Sequence, residues 1–181
     1  MRVTLQKYKN NRWLKKPVLA YGYQHWLIDN ASLTLRLKLR HPKFRVKPVS
    51  VRYAKALTDE QAILNLKRDQ KSLVREVVLI SNNQPLVFAH SVLPKSSLRG
   101  DWHGFGRLGS KPLGEALFAN PKVQRTSFRF KKLSRQHPLY KEAIQYSECS
   151  SEYLWARRSV FSLNCVSILV TEIFLPRILE K

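Results

Sequence analysis

Alternating hydrophobic and polar positions predict that much of this chain folds into β-strands. The predicted strands are residues 44–56, 73–80, 86–93, 123–131, 156–163 and 165–175. Residues 81–85 (SNNQP) separate two of them and have the composition of a hairpin turn. A second hairpin is predicted around Asn164, between the last two strands.

Short amphipathic segments lie between the strands and predict helices. These are residues 23–28, 33–39, 61–66 and 112–118. Ser32 is a predicted N-cap, residues 58–61 (TDEQ) fit a capping box, and Pro112 fits a first-turn position with Ser110 as its cap. Because the strands are joined by hairpins, the predicted fold class is α+β, with an antiparallel sheet and helices packed on one face.

Glu172 is the most unusual residue in this pattern. It lies in an apolar predicted strand and, by alternation, shares a face with Ile168, Val170 and Phe174. A carboxylate among such neighbours either finds a strong partner or holds a proton near neutral pH. Both states are more common at functional sites than in plain structure, so Glu172 is a candidate site residue.

Arg75 and Glu76 place two charges in the middle of another apolar strand. Arg75 shares a face with Leu73 and Val77, and Glu76 lies on the other face. Alternation cannot say which face is the core. One interpretation is that one charge is paired and the other lies at a sheet edge. The other is that Arg75 points inward and needs an anion, for which a substrate carboxylate is the natural bidentate partner.

The net charge of +21 changes the picture of what the chain attracts. No acidic residue occurs in residues 1–28, 30–58 or 116–141. Such a field attracts nucleic acid, anionic lipid or small anionic substrates, although a merely solvated basic surface explains it as well. No zinc finger or aromatic ribonucleoprotein motif supports a nucleic-acid function.

Several other chemistries have little support. Two cysteines are too few for a disulfide scaffold, the five histidines lack metal-ligand spacing, and no apolar run is long enough to span a membrane. Residues 104–109 (GFGRLG) match G-x-G-x-x-G, but no strand precedes them, so a flexible loop over a site is favoured over dinucleotide binding. The N-terminus lacks a signal-peptide core, so we expect a cytoplasmic protein.

Six segments, in order along the chain, resemble the chorismate lyase family. They are residues 31–37 (ASLTLRL), 74–79 (VREVVL), 91–94 (SVLP), 108–118 (LGSKPLGEALF), 155–159 (WARRS) and 169–176 (LVTEIFLP). The resemblance implies a single α+β domain over residues 1–181, with residues 1–22 as a basic extension. It also implies a six-stranded antiparallel sheet and flaps over an enclosed site.

The implied reaction converts chorismate into 4-hydroxybenzoate and pyruvate for ubiquinone biosynthesis, without metal or cofactor. By motif, Arg75 and the backbone N–H groups of Leu33 and Leu113 hold the ring carboxylate, and Glu172 faces the ring hydroxyl. Both amides fall in the first turn of a predicted helix, where N–H groups lack intrahelical partners. Glu172 either takes the proton of the hydroxyl-bearing carbon or orients the hydroxyl.

The sequence also departs from the family pattern. The family commonly has Arg at the position of His90, so His90 would help a second carboxylate or product exit more weakly and in a pH-dependent way. Arg157 and Arg158 are secondary candidates for the enolpyruvyl carboxylate. The basic charge would steer a dianionic substrate or favour weak association with an anionic membrane surface.

Two other functions are open from the residues. One is a non-catalytic effector-binding module of the same fold, which would carry a DNA-binding domain that the segment before Trp26 is too short to supply. The other is a basic nucleic-acid-binding protein, supported by charge alone. The lyase interpretation predicts a monomer that binds chorismate and 4-hydroxybenzoate and has no specific nucleic-acid partner.

Overall fold

A seven-stranded antiparallel sheet forms the centre of the computed structural model. The structure describes residues 12–180 except for 42, 100, 101, 103, 106, 107 and 165. The strands are β1 (Arg45–Lys55), β2 (Lys71–Ser81), β3 (Gln84–Pro94), β4 (Gln124–Arg125), β5 (Arg129–Ser134), β6 (Tyr153–Leu163) and β7 (Val166–Phe174). Their order across the sheet is β1-β2-β3-β7-β6-β4, and β5 also pairs with β6.

Both predicted hairpins are confirmed. Asn82 and Asn83 connect β2 and β3 with φ of 47° and 65°, and Asn164 has φ of 47° after β6. Asparagine tolerates this left-handed conformation better than most residues, which suits it to tight turns. The turns place β2 beside β3 and β6 beside β7, while β3 and β7 pair in the middle of the sheet.

The far edge of the sheet differs from the prediction. The strand predicted over residues 123–131 is broken between Arg125 and Arg129 into β4 and β5. β4 pairs with the end of β6 at Phe161 and Ser162, while β5 pairs with its first half. Two short strands, β4 and β5, therefore both pair with β6 where one strand was predicted. The described sheet has seven strands instead of the expected six.

The helices are short and mostly lie where the sequence predicted them. They are α1 (Gln24–Leu27), α2 (Leu33–Arg40), α3 (Thr58–Ile63), α4 (Leu113–Ala119) and α5 (Pro138–Ile144), with 3-10 turns at Tyr21–Tyr23, Lys95–Arg99 and Pro176–Leu179. Ser32 is the N-cap of α2, and its Oγ accepts from Leu35 N–H at 3.4 Å.

Two predicted helix starts need correction. α3 begins at Thr58, earlier than expected, and the Glu60 carboxylate accepts from Leu57 N–H at 2.9 Å. Thr58 is therefore inside the helix because Leu57 takes the N-cap position. Pro112 is itself the N-cap of α4, so Ser110 lies outside that helix.

Helices cover both faces of the sheet, whereas the sequence predicted them on one face. Leu33 and Leu37 of α2 pack with Val77 of β2, and this side is called the front face. Leu139 and Ala143 of α5 pack with Val78 of the same strand on the back face. Because β2 is apolar on both sides, each face must be covered to remove those side chains from water.

The N-terminal segment from residue 12 contacts the sheet. Leu14 and Phe130 form an isolated antiparallel bridge, with N–O distances of 2.7 and 2.9 Å. Trp13 Nε1 donates to Asp59 at 3.0 Å on the back face. The remaining part of the expected N-terminal extension, residues 1–11, lies outside the described residues.

Candidate functional site

A cavity lies on the front face between the sheet and the N-terminal ends of α2 and α4. It encloses about 620 Å³ of empty space, including its open mouth. Its walls are mainly apolar, and its charged lining residues are Arg75, Arg125, Arg157 and Glu172. A mostly apolar cleft with a few convergent charges is the usual form of a small-molecule site.

Strand pairing places Arg75 and Glu172 on the cavity floor at different positions. Arg75 on β2 pairs with Ser91, which pairs with Val170 on β7. Glu172 is two residues further along β7, so the two Cα atoms are offset by two strands and two residues. Standard strand spacings put them roughly 12 Å apart, which leaves room for a six-membered ring between their side chains.

Arg75 is buried without a counter-charge among the described residues. Its residue is 3% exposed, and its Nη2 donates to the carbonyl oxygens of Gly109 and Lys111, each at 3.0 Å. Its Nε is buried and has no hydrogen-bond partner in the described part of the chain. Burial lowers the pKa of Arg75, as expected for a cation without a neighbouring carboxylate. The Arg75 guanidinium is therefore able to pair with a bound anion.

Two helix N-termini meet above this arginine. Leu33 is the first residue of α2 and Leu113 is the first residue of α4, and both line the cavity. A Cβ added at Gly114 would lie 3.4 Å from Thr34 Oγ1, so glycine permits the close approach of the two helices. Both amides therefore lie in the first turn of a helix, as the sequence predicted. First-turn amides carry partial positive charge and attract anions.

Glu172 has found a strong partner, one of the two states expected from its apolar strand. Its Oε2 accepts from Arg157 Nε at 2.5 Å, on the neighbouring strand β6. Arg157 is 1% exposed, and its Nη1 donates to the carbonyl oxygens of Trp26, Leu27 and Asp29. These bonds fix the guanidinium, and the guanidinium fixes the Glu172 carboxylate at the cavity wall.

Arg125 is a cavity-lining residue that the sequence pattern did not single out. Its guanidinium carbon lies 4.6 Å from the Phe128 ring centre and 5.4 Å from that of Phe118, and Nη2 donates to Asn30 O at 2.6 Å. The sequence signal was weak because one basic residue in a predicted strand does not stand out. The break between β4 and β5 then placed it at the cavity edge.

His90 lies on the back face, away from the cavity. Its Nδ1 is 3.1 Å from Glu76 Oε1, and its Nε2 is 3.3 Å from Glu60 Oε1. Arg52 Nη1 donates to Glu76 Oε2 at 2.5 Å. Burial alone lowers the pKa of His90, but hydrogen bonds and charge from the two glutamates outweigh it and raise the pKa to about 9. His90 is therefore a buried imidazolium held between two carboxylates.

A bulge explains why His90 faces that way. Ser81 pairs with Gln84 across the turn, but the pairing shifts by one residue between Leu79 and Ile80. Simple counting from the turn would have placed His90 opposite Arg75, with its side chain toward the cavity. The extra residue places it opposite Glu76 instead, and directly opposed residues project from the same face.

Arg158 also belongs to the back face. Its Nη1 donates to Asp59 Oδ2 at 2.6 Å, and its guanidinium carbon lies 4.0 Å from the Trp13 ring centre. Of the secondary candidates for the enolpyruvyl carboxylate, Arg157 lines the cavity but is paired with Glu172, while Arg158 and His90 do not line it. The structure thus brings together Arg75, Leu33, Leu113, Glu172 and Arg157.

Gly109, the last residue of the glycine-rich segment, lies beside this site. Gly109 and Lys111 supply the carbonyls that hold Arg75. Part of the G-x-G-x-x-G motif, Gly106 and Arg107, lies outside the described residues. The motif follows the 3-10 turn Lys95–Arg99 rather than a strand, and the strand pairs of the described sheet are antiparallel. The setting therefore differs from a dinucleotide-binding unit.

Metal-binding clusters and membrane spans are not found in the described parts of the chain. Within those ranges, no three His, Cys, Asp or Glu side chains are grouped so that they could hold a metal ion. None of the described helices combines the length and apolar character of a membrane span.

Comparison with known proteins gives a consistent result. The family model described as "Chorismate lyase" matches residues 8–181. A relative in Nitrosospira multiformis is 49% identical over 156 residues, covering 86% of this chain and 87% of its own. One in Nitrosomonas europaea is 47% identical over 167 residues, covering 92% and 94%. Both are named "Probable chorismate pyruvate-lyase".

Solved structures resemble the fold at low sequence identity. The PhnF C-terminal domain aligns with a TM-score of 0.58 at 13% identity, covering 75% of this chain and 84% of its own. A GntR-family transcriptional regulator from Bacillus cereus aligns with a TM-score of 0.56 at 14% identity, covering 75% and 93%. At these identities the likeness concerns the fold alone.

Proposed function

Because the chain belongs to the chorismate lyase family, we propose that its cavity binds chorismate and that the protein converts it into 4-hydroxybenzoate and pyruvate. The product supplies ubiquinone biosynthesis, the family's pathway. The observation that carries the proposal is Arg75, a buried guanidinium on the cavity floor without a counter-charge among the described residues. An anionic substrate would satisfy it.

The ring carboxylate of chorismate binds at the Arg75 end of the cavity. Arg75 supplies the charge, and the first-turn amides of Leu33 and Leu113 donate hydrogen bonds from above. The Gly109 and Lys111 carbonyls already orient the guanidinium, so little side-chain freedom is lost when the anion arrives. Such preorganisation makes a charged contact more favourable.

Glu172 acts on the hydroxyl end of the ring. One carboxylate oxygen is taken by Arg157, and the other accepts a hydrogen bond from the ring hydroxyl. We favour this orienting role over proton removal because the ion pair with Arg157 holds the Glu172 carboxylate in one position. Hydrogen bonds from Arg157 to backbone carbonyls fix the guanidinium in turn. The roof and walls, including Leu117 and Phe128, hold the ring in an apolar setting.

The chemistry needs positioning more than a strong catalyst. The C–O bond to the enolpyruvyl group breaks with its electron pair on the enolpyruvyl oxygen, the ring carbon bearing the hydroxyl gives its proton to the departing enolpyruvyl group, and the ring becomes aromatic. With that proton, the released enolpyruvate becomes pyruvate. Aromatisation drives this elimination, so the enzyme gains most by fixing the reactive conformation and stabilising charge on the leaving group.

The setting of the reaction is also part of the proposal. We propose that residues 1–181 form one domain, with residues 1–22 as a basic extension, acting as a cytoplasmic monomer. The charge of +21 attracts the dianionic substrate and favours weak association with anionic membrane surfaces, without a specific nucleic-acid partner. Flaps over the site control access to it.

Incubation of the purified protein with chorismate tests the function. We expect 4-hydroxybenzoate and pyruvate in equal amounts, with chorismate alone in buffer as the control for spontaneous breakdown. Chromatography measures the first product, and a coupled lactate dehydrogenase assay measures the second. A folded protein that forms neither product above the control rate would refute the proposal.

A further inference from the structure

The charges that line the cavity leave one cation unexplained. The described lining residues include three arginines and one glutamate, a balance of two positive charges. Arg157 and Glu172 neutralise each other at 2.5 Å, and Arg75 is the partner of the ring carboxylate in the proposed function. Arg125 remains, and no carboxylate of the described residues lies within ion-pair distance of it.

The position of Arg125 fits the geometry of the substrate. Across the front face, Arg75 lies on β2, Glu172 on β7 and Arg125 on β4, so the strand that carries Glu172 lies between the strands of the two arginines. In chorismate the enolpyruvyl group is attached to the carbon next to the hydroxyl-bearing carbon. With the ring carboxylate at Arg75 and the hydroxyl at Glu172, the enolpyruvyl group lies at the end of the cavity far from Arg75.

The surroundings of Arg125 hold its charge in place without cancelling it. Its guanidinium carbon lies 4.6 Å from the Phe128 ring centre, 5.4 Å from that of Phe118 and 6.0 Å from that of Phe161. Within the described part of the chain, its hydrogen bond goes to Asn30 O, which leaves further N–H donors of the planar fork. Aromatic faces restrict the side chain while leaving those donors for a carboxylate.

We infer that Arg125 binds the enolpyruvyl carboxylate of chorismate. This inference rests on the proposed lyase function and gives the substrate's second anionic group its partner. The cavity then matches a dianion, with one arginine for each carboxylate. The contact lies on the part of the substrate that becomes pyruvate. Arg125 therefore contributes to binding of chorismate but not of the product 4-hydroxybenzoate, which lacks that carboxylate.

Arg125→Gln tests the inference by splitting substrate binding from product binding. We expect KM for chorismate to rise about tenfold or more, because a charge-assisted contact is lost. The Kd of 4-hydroxybenzoate, measured by calorimetry, should change less than about twofold, because its carboxylate is held at Arg75. Lys122→Gln is the matched control, since it removes an exposed cation from the same segment outside the cavity lining.

The outcomes separate the inference from the function. If wild-type protein forms no 4-hydroxybenzoate, the proposed function fails and this inference fails with it. If wild-type protein turns over chorismate and Arg125→Gln has an unchanged KM, only the inference is overturned. An equal rise in KM and in the Kd of 4-hydroxybenzoate would also overturn it, because it would indicate general damage to the cavity.

Arg125→Lys covers the case in which Arg125→Gln fails to fold. Lysine keeps the charge but lacks the planar fork, so KM for chorismate should rise about threefold, with the Kd of 4-hydroxybenzoate unchanged. A lysine variant that matches wild type in both measurements would overturn the bidentate contact. Thermal unfolding shows which variant is folded, and KM and Kd are compared with wild type for that variant.

Discussion

The two faces of the sheet use charged residues in opposite ways. On the front face, Arg75 and Arg125 line a cavity without an ion-pair partner among the described residues, and Glu172 stands at the wall. On the back face, His90 lies between Glu60 and Glu76, and Arg158 is paired with Asp59. Removing one partner of a back-face pair would leave a buried charge uncompensated and destabilise the fold, whereas the front-face arginines without partners are available to a ligand.

The same strands supply both arrangements through neighbouring residues. Arg75 faces front while Glu76 faces back, and Arg157 faces front while Arg158 faces back. Alternation along a strand therefore separates cavity-lining charges from ion-paired back-face charges within two consecutive positions. This division predicts which substitutions affect turnover and which affect unfolding.

The largest expected effect comes from Arg75→Ala. Removing the guanidinium leaves the ring carboxylate without its cation, so kcat/KM should fall about 10²–10³-fold while the protein stays folded. Steady-state kinetics and a thermal melt measure the two properties. Glu76→Gln, one position along, is the control: its melting temperature should fall, with turnover preserved well below the melt. Near-wild-type turnover in folded Arg75→Ala would show that the site is misplaced.

A matched pair of acid-to-amide changes compares the two faces directly. Glu172→Gln alters the front ion pair with Arg157, and Asp59→Asn alters the back ion pair with Arg158. We expect Glu172→Gln to lower kcat about 10–10²-fold, because an amide orients the ring hydroxyl less strongly. Asp59→Asn should cost about 1–2 kcal/mol of unfolding free energy, reduced by its partial exposure, and leave kcat within about twofold.

These two variants also give a clear way to contradict the division of the faces. If Asp59→Asn lowers kcat as much as Glu172→Gln at a temperature where both are folded, the back face takes part in turnover. Chemical denaturation at that temperature verifies that each variant is folded before its rate is compared.

The stability of the protein should also depend on pH through His90. Its pKa is about 9 in the folded protein, above the ordinary value of 6.5. The stabilisation is therefore complete below pH 6.5 and is lost as pH rises through 9, for a total of about 3 kcal/mol. Denaturant titrations from pH 6.5 to 10 measure it. His90→Gln should be less stable at pH 7 and have a flatter profile over this range.

The pH range separates the effect of His90 from that of the half-buried His137. Burial lowers the pKa of His137 to about 4, so its contribution is lost as pH falls below 6.5. A His137→Gln control should therefore keep the decline above pH 6.5. A wild-type free energy of unfolding that stays constant from pH 6.5 to 10 would contradict the charged Glu–His–Glu arrangement.

The closing hairpin shows how much of the site could be predicted from the sequence. Alternation placed Glu172 with Val170 and Phe174, and the turn at Asn164 was predicted. Counting outward from that turn, Leu163 pairs with Val166 and Arg157 pairs with Glu172. The partner of Glu172 was therefore available from the sequence, because this hairpin has an unbroken register.

The β2–β3 hairpin shows why other contacts could not be predicted. The one-residue shift in pairing register between Leu79 and Ile80 places His90 on the back face. No pattern in the local sequence predicts this shift. Likewise, the break between β4 and β5 depends on pairing with different parts of β6. Both features arise from long-range packing, which overrides the local pattern of single strands.

The consecutive charged residues Arg75 and Glu76 also affect how the sheet assembles. A one-residue slip of β2 would turn Glu76 toward the cavity, away from His90 and Arg52, and would turn Arg75 away from the cavity. In an ordinary apolar strand such a slip exchanges one hydrophobic residue for another at modest cost. Here the misaligned chain would lose the ion pairs of Glu76 with His90 and Arg52, so the charged residues of β2 also help the folding sheet reject wrong registers.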